Sequence, residues 1–278
     1  MRYSILELYD TVTGDRRELA RFDWNIEAPF FRSDNELCYN ADGIIYRMWL
    51  DTQEVDELPT GHLRGCNNDH VFSPCGRYIA VSNGDRGFGS RIWLCDLEGE
   101  NAPRLITEKA PSYLHGYSPD GKTLAYCAER NGDYDVYAIP VDGGEEIQLT
   151  DTPGLDDGPE YSPDGRYIYF NSVRSGMMEC WRMDADGKNP VKLTENGRHN
   201  WFPHISPDNS GIVYISYDPE EVRAGDHPPD KHVQIRMMNP DGSDDRCLIE
   251  FFGGQGSFNV NSWMRGGRYF AFVRYNIV

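Results

Sequence analysis

Apolar residues in this chain come in short bursts. Tyr167–Asn171 (YIYFN), the stretch RIWLCDL at 91–97 and DVYAIPV at 135–141 are each five to seven residues long, and turn residues follow at once. No segment keeps the three-to-four-residue apolar period of a helix over a useful length. Short β-branched and aromatic runs, bounded every 8–12 residues or so by Gly, Pro, Asp and Asn, predict strands and an all-β chain.

The bursts recur. HVFSPCGRYIAVSN (70–83) returns as HGYSPDGKTLAYCAER (115–130), PEYSPDGRYIYFNSVR (159–174) and PHISPDNSGIVYISY (203–217). PFFRSDNELCYN (29–40) and NSWMRGGRYFAFVRY (261–275) are weaker copies. The residue closing each corner is Asn35, Gly76, Gly121, Gly165, Asn209 and Gly267, at spacings of 41, 45, 44, 44 and 58. Each unit reads as an apolar strand, a Ser-Pro-Asp-Gly corner in which Pro fixes φ and Gly or Asn accepts positive φ, and a second strand. An alternating third strand, such as CWRMDAD (180–186) or VQIRMMN (233–239), leads through Asp-Gly to a short fourth, such as IQLT (147–150) or VKLT (191–194). Four strands in about 45 residues form a propeller blade. Six units predict a six-bladed β-propeller in one domain, residues 1–278. The C-terminal copy holds only two inner strands, and residues 3–19, turning at Thr13-Gly14-Asp15, have the form of the missing outer two. Blade 6 is therefore expected from about 1–20 together with 257–278, which closes the ring and removes its open edges.

Composition narrows the partners. The 45 acidic and 27 basic side chains leave a net charge of −18, and the pI is about 4.7. Phosphate backbones and anionic membrane surfaces both need clustered Lys and Arg, so neither nucleic acid nor membrane is expected. Seven cysteines, with no pair at a CxxC spacing, read as reduced thiols, and MRYSILELYD has no apolar core of a signal peptide; a cytoplasmic protein is expected. The glycine-rich GDRGFG (84–89) precedes no helix and is not a phosphate loop.

The unit PEYSPDGRYIYFNSVRSGMMECWRMDADGKNPVKLT (159–194) resembles the TolB-type propeller repeat almost position for position, and the resemblance extends over nearly the whole chain. It is strongest to short bacterial TolB-like proteins built of a propeller alone. More distantly, the chain is similar to oligogalacturonate lyase, a propeller of more blades whose channel holds a divalent metal on several His and a Gln. Shared propellers leave chemistry to be argued from the site.

In a propeller the start of each innermost strand rims one mouth of the central channel, and the SPDG corners lie at the other face. The six rim segments are 23–29, 65–70, 110–115, 154–159, 198–204 and 253–261. They hold His70, His115, His199 and His204 together with Glu27, Asn67, Asn68, Asp69, Asp156, Asp157, Asn200, Gln255, Trp24 and Trp201. His70 and His115 each stand three residues before the corner Ser, where other blades carry Pro159 and Pro203. Imidazoles converging on a channel suit one divalent ion (Mn, Fe, Ni or Zn) on His70, His115 and His204, with Gln255 on its glycine-flanked loop nearby. A metal-free polar pocket and plain hydrogen bonding between blades stay open. Arg130 and Arg174, equivalent in adjacent blades, either fork onto a ligand carboxylate or tie loops together. The insertion 218–232 has the length and charge of a lid, or of a solvated excursion.

The function expected is an enzyme acting on a small polar molecule, a saccharide or sugar acid, at the channel mouth. In the form that the likeness to oligogalacturonate lyase implies, the metal polarises a carboxylate or carbonyl and Asp157 or His199 removes the adjacent proton. Asn67, Asn68 and Asp69 position hydroxyls, Asn200 and Trp201 add contacts, and Arg130, Arg174 and Arg198 make the mouth locally basic. The alternative is a non-catalytic propeller that binds a protein or a sugar.

Overall fold

The structure is a computed structural model and describes residues 2–277 other than 86, 88, 100 and 101; two positions of the GDRGFG stretch therefore lie outside the described residues. Six antiparallel sheets follow one another. Blade 1 is Glu27–Ser33, Glu36–Ala41, Ile44–Trp49 and Val55–Glu57; blade 2 is Cys66–Phe72, Tyr78–Asp85, Gly89–Asp96 and Arg104–Leu105. Blade 3 is Ser112–Tyr117, Thr123–Glu129, Tyr134–Pro140 and Ile147–Gln148; blade 4 is Asp156–Tyr161, Tyr167–Ser172, Glu179–Asp184 and Val191–Lys192. Blade 5 is His199–Ile205, Ile212–Tyr217, Lys231–Met238 and Arg246–Gly253. No helix occurs among the described residues.

The corners explain the repeat. In blades 3, 4 and 5 the Ser hydroxyl (Ser118, Ser162, Ser206) donates to the Asp two residues on (Asp120, Asp164, Asp208) at 2.7 Å each. The same hydroxyl accepts the amide that opens the next strand, Thr123 N or Tyr167 N, at 2.9 and 3.0 Å. Gly76, Gly121 and Gly165 take φ of 72, 73 and 71°, and Asn209 takes 60°, which the left-handed region allows to Gly and Asn.

Blade 6 forms from both chain ends. Tyr269–Ile277 pairs residue for residue with Arg2–Asp10, and Arg2–Asp10 pairs with Arg16–Phe22. The expected innermost strand of this blade shrinks to one bridge, Trp263 to Phe270. Alternate residues of each strand feed opposite interfaces: Phe270 and Phe272 pack toward blade 5, Ala271 and Val273 toward blade 1. Both faces of a blade are thus buried, so its strands read as unbroken apolar runs.

Candidate functional site

The innermost strands of blades 1 to 5 slip register near their starts, at Glu27/Phe30, Cys66/His70, Leu114/Gly116, Asp157/Glu160 and Trp201/His204. A bulge leaves residues unpaired and re-aims their side chains. In blade 2 it spans Asn67–Asp69 and returns His70 to the ladder opposite Val81. In blade 3 the unpaired residue is His115 itself. Ala28 and Phe202 hold φ of 51 and 54° in their bulges, a rare conformation for a residue as bulky as Phe. Phe202 is held there by its amide, which donates to the buried Asn171 Oδ1 at 3.1 Å, and its ring stacks under His115 at 5.6 Å and 23°.

These bulges open onto a cavity of about 610 Å³ at the channel mouth, with Asn67, Asn68, Asp69, His115, Asp157 and Gln255 in its wall. At its centre His115 Nε2 stands 3.1 Å from Asp157 Oδ1 and 4.0 Å from Asp69 Oδ1. Asp69 accepts Asn67 Nδ2 at 2.7 Å and Asn259 Nδ2 at 2.9 Å; Asp157 accepts the Gly158 amide at 2.7 Å. Burial and the like charge of Asp157 push the Asp69 carboxyl up to about 6, against the pull of His115. Burial raises Asp157 too, but its charge contact and hydrogen bond with His115 outweigh that and hold it at about 2. Burial opposes the charge on His115, yet the two carboxylates prevail and raise its pKa. The buried Cys127 thiol beside Asp157 is pushed well above its ordinary value by burial and by that carboxylate. The row Asp69–His115–Asp157 therefore pairs a carboxyl that titrates near neutrality with one that stays ionised, the separation that acid–base chemistry uses.

The other expected residues lie elsewhere. The His70 ring turns to the preceding blade, Nε2 to Ala28 O at 3.1 Å, and burial drops its pKa to about 4. His204 Nδ1 donates to Glu160 Oε2 at 2.8 Å. His70, His204 and His115 are thus committed to three different partners. Among the described residues no group of three or more His, Cys, Asp or Glu side chains is gathered to hold a metal ion. The donor set His70, His115, His204 and Gln255, as arranged here, does not make a metal shell. His199 Nδ1 accepts the Met178 amide at 3.3 Å, Asn200 bonds Glu179 and Ser216, and Trp201 is fully buried against the His227 ring at 4.3 Å; none of the three lines the cavity.

The expected basic rim is absent from the wall. Arg130 pairs with Glu146 at 2.7 Å and also donates to Pro111 O and Ser112 Oγ. Arg174 pairs with Asp156 at 2.7 Å, and Arg198 reaches Ser216 and Asp218. They brace loops, and forking onto a ligand would break the buried pairs of Arg130 and Arg174. The contributors to the wall that the sequence pattern did not single out include Asn25, Asp42 and Asn259, the pair Tyr113 and Tyr134, whose rings approach to 6.4 Å, and His227 from the insertion. The insertion is strapped down by Pro228 O, which accepts Gln255 N at 3.1 Å and Tyr217 OH at 3.3 Å.

Fold and cavity together define a six-bladed β-propeller, closed by its own termini, with a polar chamber at one channel mouth. The chain belongs to the TolB β-propeller domain family, whose profile matches residues 108–264. It is 40% identical over 277 residues to an uncharacterised protein of Agrobacterium fabrum, covering 99% of this chain and 93% of that one. It is similar throughout (100% of both chains, 39% identity, TM-score 0.94) to a solved structure assigned as a TolB of Agrobacterium tumefaciens. An oligogalacturonate lyase in complex with manganese aligns over 90% of this chain and 74% of its own at TM-score 0.53; at 16% identity that likeness is one of fold.

Proposed function

We propose that this protein binds a small polyhydroxylated molecule of saccharide type in the channel mouth and acts on it by acid–base chemistry. The observation that supports this reading is the His115 imidazole lying between Asp157 and Asp69 in the wall of a cavity of about 610 Å³, a size suited to a small ligand. Asp69 exchanges a proton near neutral pH, as a general acid or base should. Asp157 stays ionised, to take a proton or to face positive charge developing on a sugar ring. His115 links the two and sets their charges apart. Asn67 and Asn68 meet hydroxyls, and Tyr113 and Tyr134 offer ring faces to the apolar side of a sugar. With His199 outside the cavity, Asp69 is the group poised to exchange the proton.

The test is incubation of the protein with neutral, amino and acidic oligosaccharides, with products followed by mass spectrometry beside Asp69→Asn and His115→Gln. Cleavage or elimination by wild type, reduced at least about a hundredfold in Asp69→Asn, is the expected result. Binding by ligand-observed NMR without turnover would leave a sugar-binding propeller; neither binding nor turnover would end the reading.

A further inference from the structure

The cavity wall carries four carboxylates, Glu27, Asp42, Asp69 and Asp157, and no Lys or Arg among the described residues. Of the two imidazoles in the wall, His115 is already shared by two of these carboxylates, and burial lowers the pKa of the other, His227. Hydrogen-bond polarity points the same way. Asn40, Asn67 and Asn259 turn their amide N–H groups onto protein acceptors: Cys66 O at 2.9 Å for Asn40, Asp69 Oδ2 at 2.7 Å for Asn67 and Asp69 Oδ1 at 2.9 Å for Asn259. Among the described residues, the buried wall atoms left without a partner are two amide oxygens and one ring nitrogen, His227 Nδ1. Asn259, 2% exposed, has an Oδ1 with no partner, and so has Asn25, also in the wall. A buried acceptor without a donor is costly, and a ligand that brings donors relieves it.

Resting on the reading of this chamber as a saccharide site, we infer that its ligand is a cationic amine, a polyhydroxylated one such as an amino sugar. An ammonium supplies three donors and one positive charge, and an enclosed site of one sign of charge attracts the opposite one strongly. The faces of Tyr113 and Tyr134 add to the attraction for a cation. A sugar acid meets the reverse on every count: like charges, no fork from Arg130 or Arg174, and acceptors facing acceptors.

Calorimetric titration with glucosamine, glucose, N-acetylglucosamine and glucuronate, at neutral pH and low salt, tests this. Glucosamine is expected to bind at least about tenfold more tightly than glucose or N-acetylglucosamine, glucuronate least, with the preference shrinking as salt is added. Asp42→Asn, at an exposed turn residue with φ of 50° that Asn tolerates, should reduce the preference, and its exposure keeps folding out of the result. Equal binding of glucose and glucosamine, or tightest binding of glucuronate, would overturn the amine while leaving the saccharide site in place. Binding of none of the four would overturn both.

Discussion

Replacing Asp157 by Asn keeps the shape of the side chain and removes one charge from the centre of the cavity. His115 Nε2 lies 3.1 Å from Asp157 Oδ1 and 4.0 Å from Asp69 Oδ1. Both charges are delocalised, so an effective separation of about 4.5 Å is a fair measure for the first pair. At an effective dielectric of about 20 that attraction is roughly 4 kcal/mol in favour of the charged imidazole. Burial is the largest influence on this imidazole and lowers its pKa; the carboxylates reverse the sign. In wild type His115 should therefore titrate above its ordinary 6.5, and in Asp157→Asn it should titrate lower than in wild type, as burial loses its main opponent. The assay is NMR titration of the imidazole C–H and N resonances, with His115 assigned by loss of its signals in His115→Gln. A wild-type value at or below the ordinary one, or a shift under about half a unit in the variant, would refute the assigned electrostatics.

Other expectations follow from the same geometry. The Asp69 carboxyl is raised from 3.8 to about 6, so its share of stability is complete below the unfolded pKa and lost as pH rises through 6. Asp69→Asn should gain stability on wild type in urea melts as pH rises from about 4 to about 6, by on the order of 2–3 kcal/mol at the plateau, and a difference independent of pH would contradict this. Gly116→Ala places a methyl 2.6 Å from Pro159 O; a loss of about 1–3 kcal/mol in urea melts is expected, with the His115 titration displaced, and an unchanged titration would show that the bulge does not set the ring. Arg174→Ala strands Asp156, whose side chain is 1% exposed, and should cost about 3–5 kcal/mol. Arg174→Lys should recover only part of it, since Lys lacks the planar contact with Phe170 and Trp181; a loss below about 1 kcal/mol in the alanine variant would show the pair to be dispensable.

The fold was readable because its decisive contacts are local. Ser118, Asp120 and Gly121 settle their corner within a few residues, and the next two blades repeat the solution. Closure was readable for a similar reason: residues 3–19 contain two strands and a turn with no third strand of their own. The innermost strand of blade 6 was not, because Trp263 keeps only one bridge, and pairing is settled by neighbours that a one-blade pattern does not show. His227 was hidden by distance. Its segment reaches the mouth through bonds from Tyr217 and Gln255 to Pro228 O, and loop composition carries no record of that anchoring.

The histidines show why depth was legible and direction was not. Counting back from the corner Ser puts His70 and His115 at one level, and both are at the channel. Their roles separate through the bulge, which absorbs Asn67–Asp69 in one blade and His115 in the next, so that His70 is back in the ladder where His115 stands out of it. The residues this frees, Asp69 and His115, meet Asp157 of the following blade across the mouth. The same device in blade 5 puts Phe202 into a strained backbone conformation, offset by a hydrogen bond to Asn171, to set a ring beneath His115. Gly158, the bulged residue of blade 4, could not carry a side chain, since a Cβ there would stand 2.6 Å from that same Asn171 Oδ1. One buried amide thus fixes two neighbouring bulges, and through them the faces on which His115 and Asp157 meet. The same left-handed backbone recurs just before Pro29, Pro159 and Pro203, at Ala28, Gly158 and Phe202, so the bulge is a device of the repeat, and what differs from blade to blade is the side chain that it turns toward the mouth.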